Sequence, residues 1–134
     1  MEIADILKEY KRIAVVGLSR DETKYSNLVS RFMQRAGYKI IPINPVSSDA
    51  LLGEKAYKGI DDVDVPFDIA DVFRPGGECL EITKKAIAKG AKVVWLQEGI
   101  TNNEAKAYAE SKGAAFVQDR CIMKEYVKFF KVKA

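Results

Sequence analysis

The apolar positions of this chain fall into two rhythms that alternate along its length. Ile3, Ile6, Leu7 and Tyr10 recur at steps of three and four, one helical stripe. Ile13-Ala14-Val15-Val16 then runs without alternation into Gly17, the mark of a strand covered on both faces. Leu28, Val29, Phe32, Met33 and Ala36 return to the helical rhythm, with Ser26 placed to cap that helix and Gly37 to stop it. Tyr38 to Ile43 predicts a second strand, closed by Asn44-Pro45. Val46 to Val65 has no period. Gly53 and Gly59 break it and Asp61, Asp62 and Asp64 make it acidic, so a loop with one or two short ordered pieces is expected. Phe67 to Phe73 predicts a third strand, and Arg74-Pro75-Gly76-Gly77 turns the chain into a helix ending near Gly90. Ala91 to Gln97 predicts a fourth strand, followed by a helix from Asn102 or Asn103 to Gly113. Ala114 to Val117 predicts a short fifth strand. A last helix, Cys121 to Phe130, turns Ile122, Met123, Tyr126, Val127 and Phe130 inward.

Strands alternating with helices predict an α/β fold: a three-layer, doubly wound, Rossmann-like parallel sheet of about five strands. The simplest order is 3-2-1-4-5. At 134 residues the whole chain, 1–134, is expected to form one domain.

Composition narrows the chemistry. With 48% hydrophobic and 31% charged residues the chain is of the folded kind. It has no histidine, which excludes Ser-His-Asp and Cys-His catalysis and any His-ligated metal. Cys79 and Cys121 form no C-x-x-C pair, so zinc and dithiol motifs are absent. No apolar run reaches the roughly 18 residues of a membrane span, and Met1 to Tyr10 carries acids and no signal-peptide core. The expected location is the cytoplasm, with reduced thiols. Net charge is +3, but Arg120 to Ala134 alone holds Arg120, Lys124, Lys128, Lys131 and Lys133 against Glu125. The basicity therefore belongs to the last helix, and no nucleic-acid partner is expected. Only seven Asn and Gln with high charge lean toward a thermophilic source.

In such a sheet ligands bind at the carboxyl ends of the strands, near the switch point beside the first strand. There the sequence places Gly17-Leu18-Ser19-Arg20 with Lys24, then Asn44-Pro45, Arg74-Pro75-Gly76-Gly77, Glu98-Gly99-Ile100 and Asp119-Arg120-Cys121. The first loop suits phosphate. Gly17 permits close backbone approach, Ser19 offers a hydroxyl, Arg20 and Lys24 add charge, and the helix beginning near Ser26 offers free amides. An ordinary turn with solvated charges is the competing reading. A dinucleotide reading fails twice: Gly17-Leu18-Ser19 replaces the start of G-x-G-x-x-G, and Asn44 stands where a ribose-binding acid closes strand two. An NAD(P)-dependent oxidoreductase is thus disfavoured. A Walker loop and a receiver-type acidic pair are also missing.

Five blocks, in order, carry a resemblance: Val16-Gly17-Leu18-Ser19-Arg20; Ile41-Pro42-Ile43-Asn44-Pro45; Asp71-Val72-Phe73-Arg74-Pro75; Val94-Trp95-Leu96-Gln97-Glu98-Gly99-Ile100; and Asp119-Arg120-Cys121-Ile122-Met123. Together they resemble the small stand-alone CoA-binding domain proteins, relatives of the CoA-binding domain of succinyl-CoA synthetase and ADP-forming acyl-CoA synthetases. The resemblance implies a Rossmann-like fold and coenzyme A, or an acyl-CoA, as ligand. It implies that the Gly17 to Lys24 loop holds CoA phosphates and that Asn44-Pro45 borders the nucleotide part. It further implies that Phe73-Arg74 and Gln97 to Ile100 line the rest of the cleft, with Phe73 and Ile100 against adenine or pantetheine. The synthetases also use a phosphohistidine relay housed partly in another domain. A chain without histidine performs no such relay alone, so a binding, carrier or regulatory role is expected. The alternative is a CoA-binding subunit acting with a separate catalytic chain. The expected protein partner is a second copy of the chain or a synthetase-like protein; no membrane partner is expected.

Cys121, at the start of the last helix beside Arg120, has the setting of a thiol with lowered pKa. A mixed disulfide with the CoA thiol stands against inert burial. Asp71 and Cys79 read as structural groups, and the aspartates at 61, 62 and 64 as a solvated loop.

Overall fold

In the computed structural model, residues 1–46 and 49–132 are described; Lys133 of the basic tail lies outside them. Five strands form one parallel sheet: β1 (Arg12–Val16), β2 (Lys39–Ile43), β3 (Ile69–Val72), β4 (Val93–Leu96) and β5 (Ala115–Val117). Among the described residues five α-helices accompany them: α1 (Ile3–Glu9), α2 (Tyr25–Arg35), α3 (Cys79–Ala88), α4 (Asn103–Ser111) and α5 (Ile122–Phe130). All four residues of β3 and of β4 are buried because both faces of the sheet are covered. On one face Ile13, Val15, Ile69 and Trp95 pack with Ile6 and Leu7 of α1, Val29 and Met33 of α2, and Ile122 of α5. On the other, Ala14, Val16, Ala70, Val72 and Leu96 pack with Cys79 and Ala86 of α3 and with Tyr57, Ile60 and Phe67 of the long β2–β3 connection. The doubly wound α/β architecture expected from the alternation is therefore present.

The strand order is corrected. It is 2-1-3-4-5, not 3-2-1-4-5. The reason is legible at Pro42. A proline has no N–H to give a neighbouring strand, so it belongs on an edge. Pro42 aims its carbonyl outward, where it accepts from the Tyr57 N–H at 2.9 Å, and Tyr57 returns a carbonyl to the Asn44 N–H at 2.8 Å. No third strand can take that side of β2, and β3 pairs with the free side of β1 instead.

Two details of α2 also differ. Lys24, not Ser26, is its N-cap residue, and Ser26 Oγ instead accepts the Ser19 N–H at 2.9 Å. Leu28 faces solvent at 42% exposure, while the neighbouring polar Asn27 and Ser30 are buried. The helix thus begins two residues earlier than a Ser26 cap predicts.

The loops at the carboxyl edge are tied to one another. Asn102 caps α4 by accepting the Ala105 N–H at 2.9 Å, and its amide nitrogen donates to the Gly76 carbonyl at 2.9 Å. A Cβ on Gly76 would stand 2.6 Å from the Thr101 carbonyl oxygen, a backbone atom with little room to yield. Below these loops Asp71 is fully buried and accepts a hydrogen bond from Gln97 Nε2; Gln97 Oε1 accepts the Ile122 N–H at 3.3 Å. Burial pushes the Asp71 carboxyl up to about 7, against the opposing pull of the Gln97 hydrogen bond.

Gly76→Ala lowers stability by about 2 kcal/mol through overpacking, read as a fall in urea midpoint at unchanged slope. For Asp71, the folded state keeps a proton between about pH 4 and pH 7 that the unfolded chain has lost. Stability accordingly falls as pH rises through that window and is flat above it, by about 4 kcal/mol in all. Urea unfolding at pH 5 and pH 8.5 should show this loss in the wild type and its absence in Asp71→Asn. Parallel behaviour of the two proteins would refute the assignment.

Candidate functional site

The sheet changes winding direction between β1 and β3, and a crevice opens there at the carboxyl ends of the strands. Gly17 ends β1 with φ +89°; a side chain there would meet the Phe73 carbonyl oxygen and the Arg74 Cδ, each at 3.0 Å. Glycine is required on both counts, conformation and space. The crevice continues as a cleft of about 210 Å³. Val16, Ile43, Ile60 and Ile82 supply its apolar wall, with Pro45 and the backbone of Gly17 and Gly59 beside them. Lys58, Arg74 and Lys85 bring three cations to it, and Glu78 one carboxylate.

Two of the three cations are paired. Arg74 donates from Nε to Glu78 Oε1 at 3.0 Å and from Nη2 to Oε2 at 2.8 Å, a two-pronged contact. The hydrogen bonds from Arg74 hold the Glu78 carboxyl below its ordinary range. Lys85 Nζ lies 3.6 Å from Asp61. Lys58 has no ion-pair partner among the described residues.

The cleft gathers Gly17, Pro45 and Arg74 of the residues expected from sequence. The others stand elsewhere on the same edge, most of them engaged internally. Gly17 and Leu18 donate their N–H groups to the Ile43 carbonyl at 3.0 and 3.2 Å, and the Ser19 N–H goes to Ser26. The amides of 17–19 are thus committed within the loop. The Leu18 side chain lies wholly in the core. Ser19 Oγ accepts the Asp21 N–H at 3.1 Å, leaving its own proton to donate. Arg20 reaches the carbonyls of Ala50 at 3.1 Å and Asp49 at 3.4 Å. Lys24 is exposed at the start of α2. Asn44 fastens the loop: its amide nitrogen donates to the Leu18 carbonyl and its oxygen accepts the Val46 N–H, both at 2.9 Å.

The β4 side is displaced from the cleft by the corrected order. With β3 beside β1, Arg74 adjoins Gly17, and the end of β4 lies one strand further on. Gln97 is buried and bridges Asp71 to the start of α5. Gly99 donates its N–H to Asp119 Oδ1 at 2.7 Å, and Ile100 and Phe73 are partly buried against the two halves of the core. Cys121 is buried, its Sγ 2.9 Å from the Tyr25 hydroxyl. Burial and that contact raise the Tyr25 pKa. Lys124 pairs with Glu98 nearby at 2.9 Å.

Sequence reasoning missed Lys58, Glu78 and Lys85. A signal existed for two of them. Arg74, Glu78, Ile82 and Lys85 fall at steps of four, four and three, one helical stripe continuing from the turn after β3. Lys58 gave none, because it precedes Gly59 in a stretch without period.

The comparisons bear on the family and the fold. The family model for the CoA binding domain matches residues 11–127. The chain is 42% identical over 121 residues to the uncharacterized protein YneT of Bacillus subtilis, covering 90% of this chain and 89% of that one. The solved structure of a hypothetical protein from Pyrococcus horikoshii OT3 superposes with a TM-score of 0.90 at 35% identity, covering 96% of this chain and 89% of that one. Similarity extends to an ADP-forming acetate–CoA ligase of Methanocaldococcus jannaschii, 30% identical over 82 residues, which are 61% of this chain and 12% of the ligase. With most of its length matched by that family model, the chain belongs to the family of CoA-binding domains.

Proposed function

We propose that this protein binds coenzyme A, or an acyl-CoA, at the carboxyl edge of its sheet, as a binding, carrier or regulatory protein. The observation that carries the reading is the cleft beside Gly17, where three cations adjoin an apolar wall. That combination suits a ligand with an apolar ring system and several phosphates. Val16, Ile43, Ile60 and Ile82 would receive the adenine, and Lys58, Arg74 and Lys85 the phosphates. The cleft volume, about 210 Å³, is below the roughly 300–1,000 Å³ of pockets that enclose a small molecule. It accommodates only part of a CoA-sized ligand. The remainder would run along the edge past Ser19, Lys24 and the start of α2, toward the end of β4 with Gly99 and Ile100. On this route Leu18, Ser26, Asn44 and Gln97 hold the loops in place, and Cys121 is the thiol nearest the pantetheine end.

A second reading, a CoA-binding subunit working with a separate catalytic chain, is favoured by the similarity to part of the acetate–CoA ligase. Both readings share the same first test. Calorimetric titration of ligand-free protein with CoA, acetyl-CoA, NAD and NADP is expected to give heat with the CoA compounds and silence with the dinucleotides. Arg74→Ala should weaken CoA about tenfold and Lys24→Ala several-fold, in the range of one charge-assisted contact. Lys39→Ala, at the opposite end of β2, should leave the affinity unchanged. Silence with CoA and heat with NAD would replace the CoA reading by an oxidoreductase.

A further inference from the structure

The cleft holds an anion of its own. Glu78 lines it, and Glu78 engages Arg74 through both oxygens at 3.0 and 2.8 Å. A guanidinium presents the same fork to a carboxylate and to a phosphate. Since Glu78 itself lines the cleft, the Nε–Nη2 edge it occupies is the edge turned toward a ligand. Arg74 has little freedom to offer another edge, because its Cδ and Cγ lie against the bare Cα of Gly17. The two side chains are about equally exposed, 44% for Arg74 and 47% for Glu78. The carboxylate differs in what holds it: Glu78 stands at the N-terminal end of α3 with no capping hydrogen bond, and among the described residues its oxygens are bonded to Arg74 alone. It is therefore the member of the pair with room to swing away.

We propose that Glu78 is a resident competitor: it occupies the phosphate seat of Arg74 in the free protein and must be displaced when a phosphate ligand binds. The inference rests on the cleft being the phosphate site, and it adds a determinant of affinity. Lys58, which has no such partner among the described residues, makes the first contact, and Arg74 joins once Glu78 has left. Ligands able to hold only one cation gain little here, because they leave the Arg74–Glu78 pair in place. Ligands bearing more than one phosphate can replace it.

The test is a double-mutant cycle by calorimetry at one low ionic strength, with CoA titrated into the wild type, Glu78→Gln, Arg74→Ala and the double variant. An exposed ion pair of this kind limits binding by a factor of about five. Glu78→Gln should therefore bind CoA about fivefold tighter. In the Arg74→Ala background the same replacement should change affinity less than about twofold, because nothing is left to release. Equal or weaker binding by Glu78→Gln overturns the proposal. So does a full gain retained without Arg74, which would make Glu78 a repelling charge and not an occupant. Thermal melts of the four proteins confirm that each is folded. If CoA is silent in the wild type, the CoA reading fails, and inorganic pyrophosphate titrated into the same four proteins decides this inference by the same two comparisons. No heat from pyrophosphate in any of them overturns it.

Discussion

Where the chain leaves β1 it passes so close to the chain leaving β3 that no side chain fits between them. The contact of Gly17 with the Phe73 carbonyl and the Arg74 stem fixes two loops against one another. The rest of the edge is built outward from it. Leu18 can turn into the core because Gly17 adopts φ +89°. The Leu18 carbonyl then receives Asn44, which sets the exit of β2. On the other side Arg74 lies across the glycine and meets Glu78, which sets the entry to α3. A single missing methyl group thus coordinates three loops from three strands. The cleft is the space those loops leave.

Much of this was legible in the sequence, for identifiable reasons. Unbroken apolar runs such as Ile13 to Val16 and Val93 to Leu96 state that both faces of a strand are covered, and that alone nearly dictates the layered fold. What periodicity does not carry is lateral order. The hydrophobic content of β3 is the same whichever neighbour it takes. The information lay in one backbone nitrogen, that of Pro42, whose lack of a proton marks an edge. Misreading it moves the switch point from between β1 and β3 to between β1 and β4. Gln97, Gly99 and Ile100 then come beside Gly17, in place of Arg74. A change of strand order thus changes which loops adjoin Gly17, although every strand lies where the apolar runs place it.

Side-chain roles were harder to read than positions, because the same polar residue serves a ligand or a loop. Asn44 and Gln97 stand at strand ends, as a binding residue would, yet each divides its donor and acceptor between two pieces of its own backbone or side-chain network. Ser26 was placed correctly at the start of α2 but takes the Ser19 amide and not a helix amide. Nothing in a linear pattern distinguishes these options, since the partner comes from a distant loop. Charge was misleading in a similar way. The net basicity points to the last helix, while the cations that line the cleft, Lys58, Arg74 and Lys85, are scattered through a region in which acids outnumber bases.

The outer border of β2 has one more implication. Pro42 offers no proton there, and Tyr57 already bridges the carbonyl of residue 42 and the amide of residue 44. At the opposite border β5 is only three residues long. An open parallel sheet is in principle a template on which further chains can polymerise. Here one rim is blocked by its own loop and the other is too short to seed growth. Association between copies by sheet extension is thereby discouraged, and any docking of one molecule on another is left to its helical flanks and its loops.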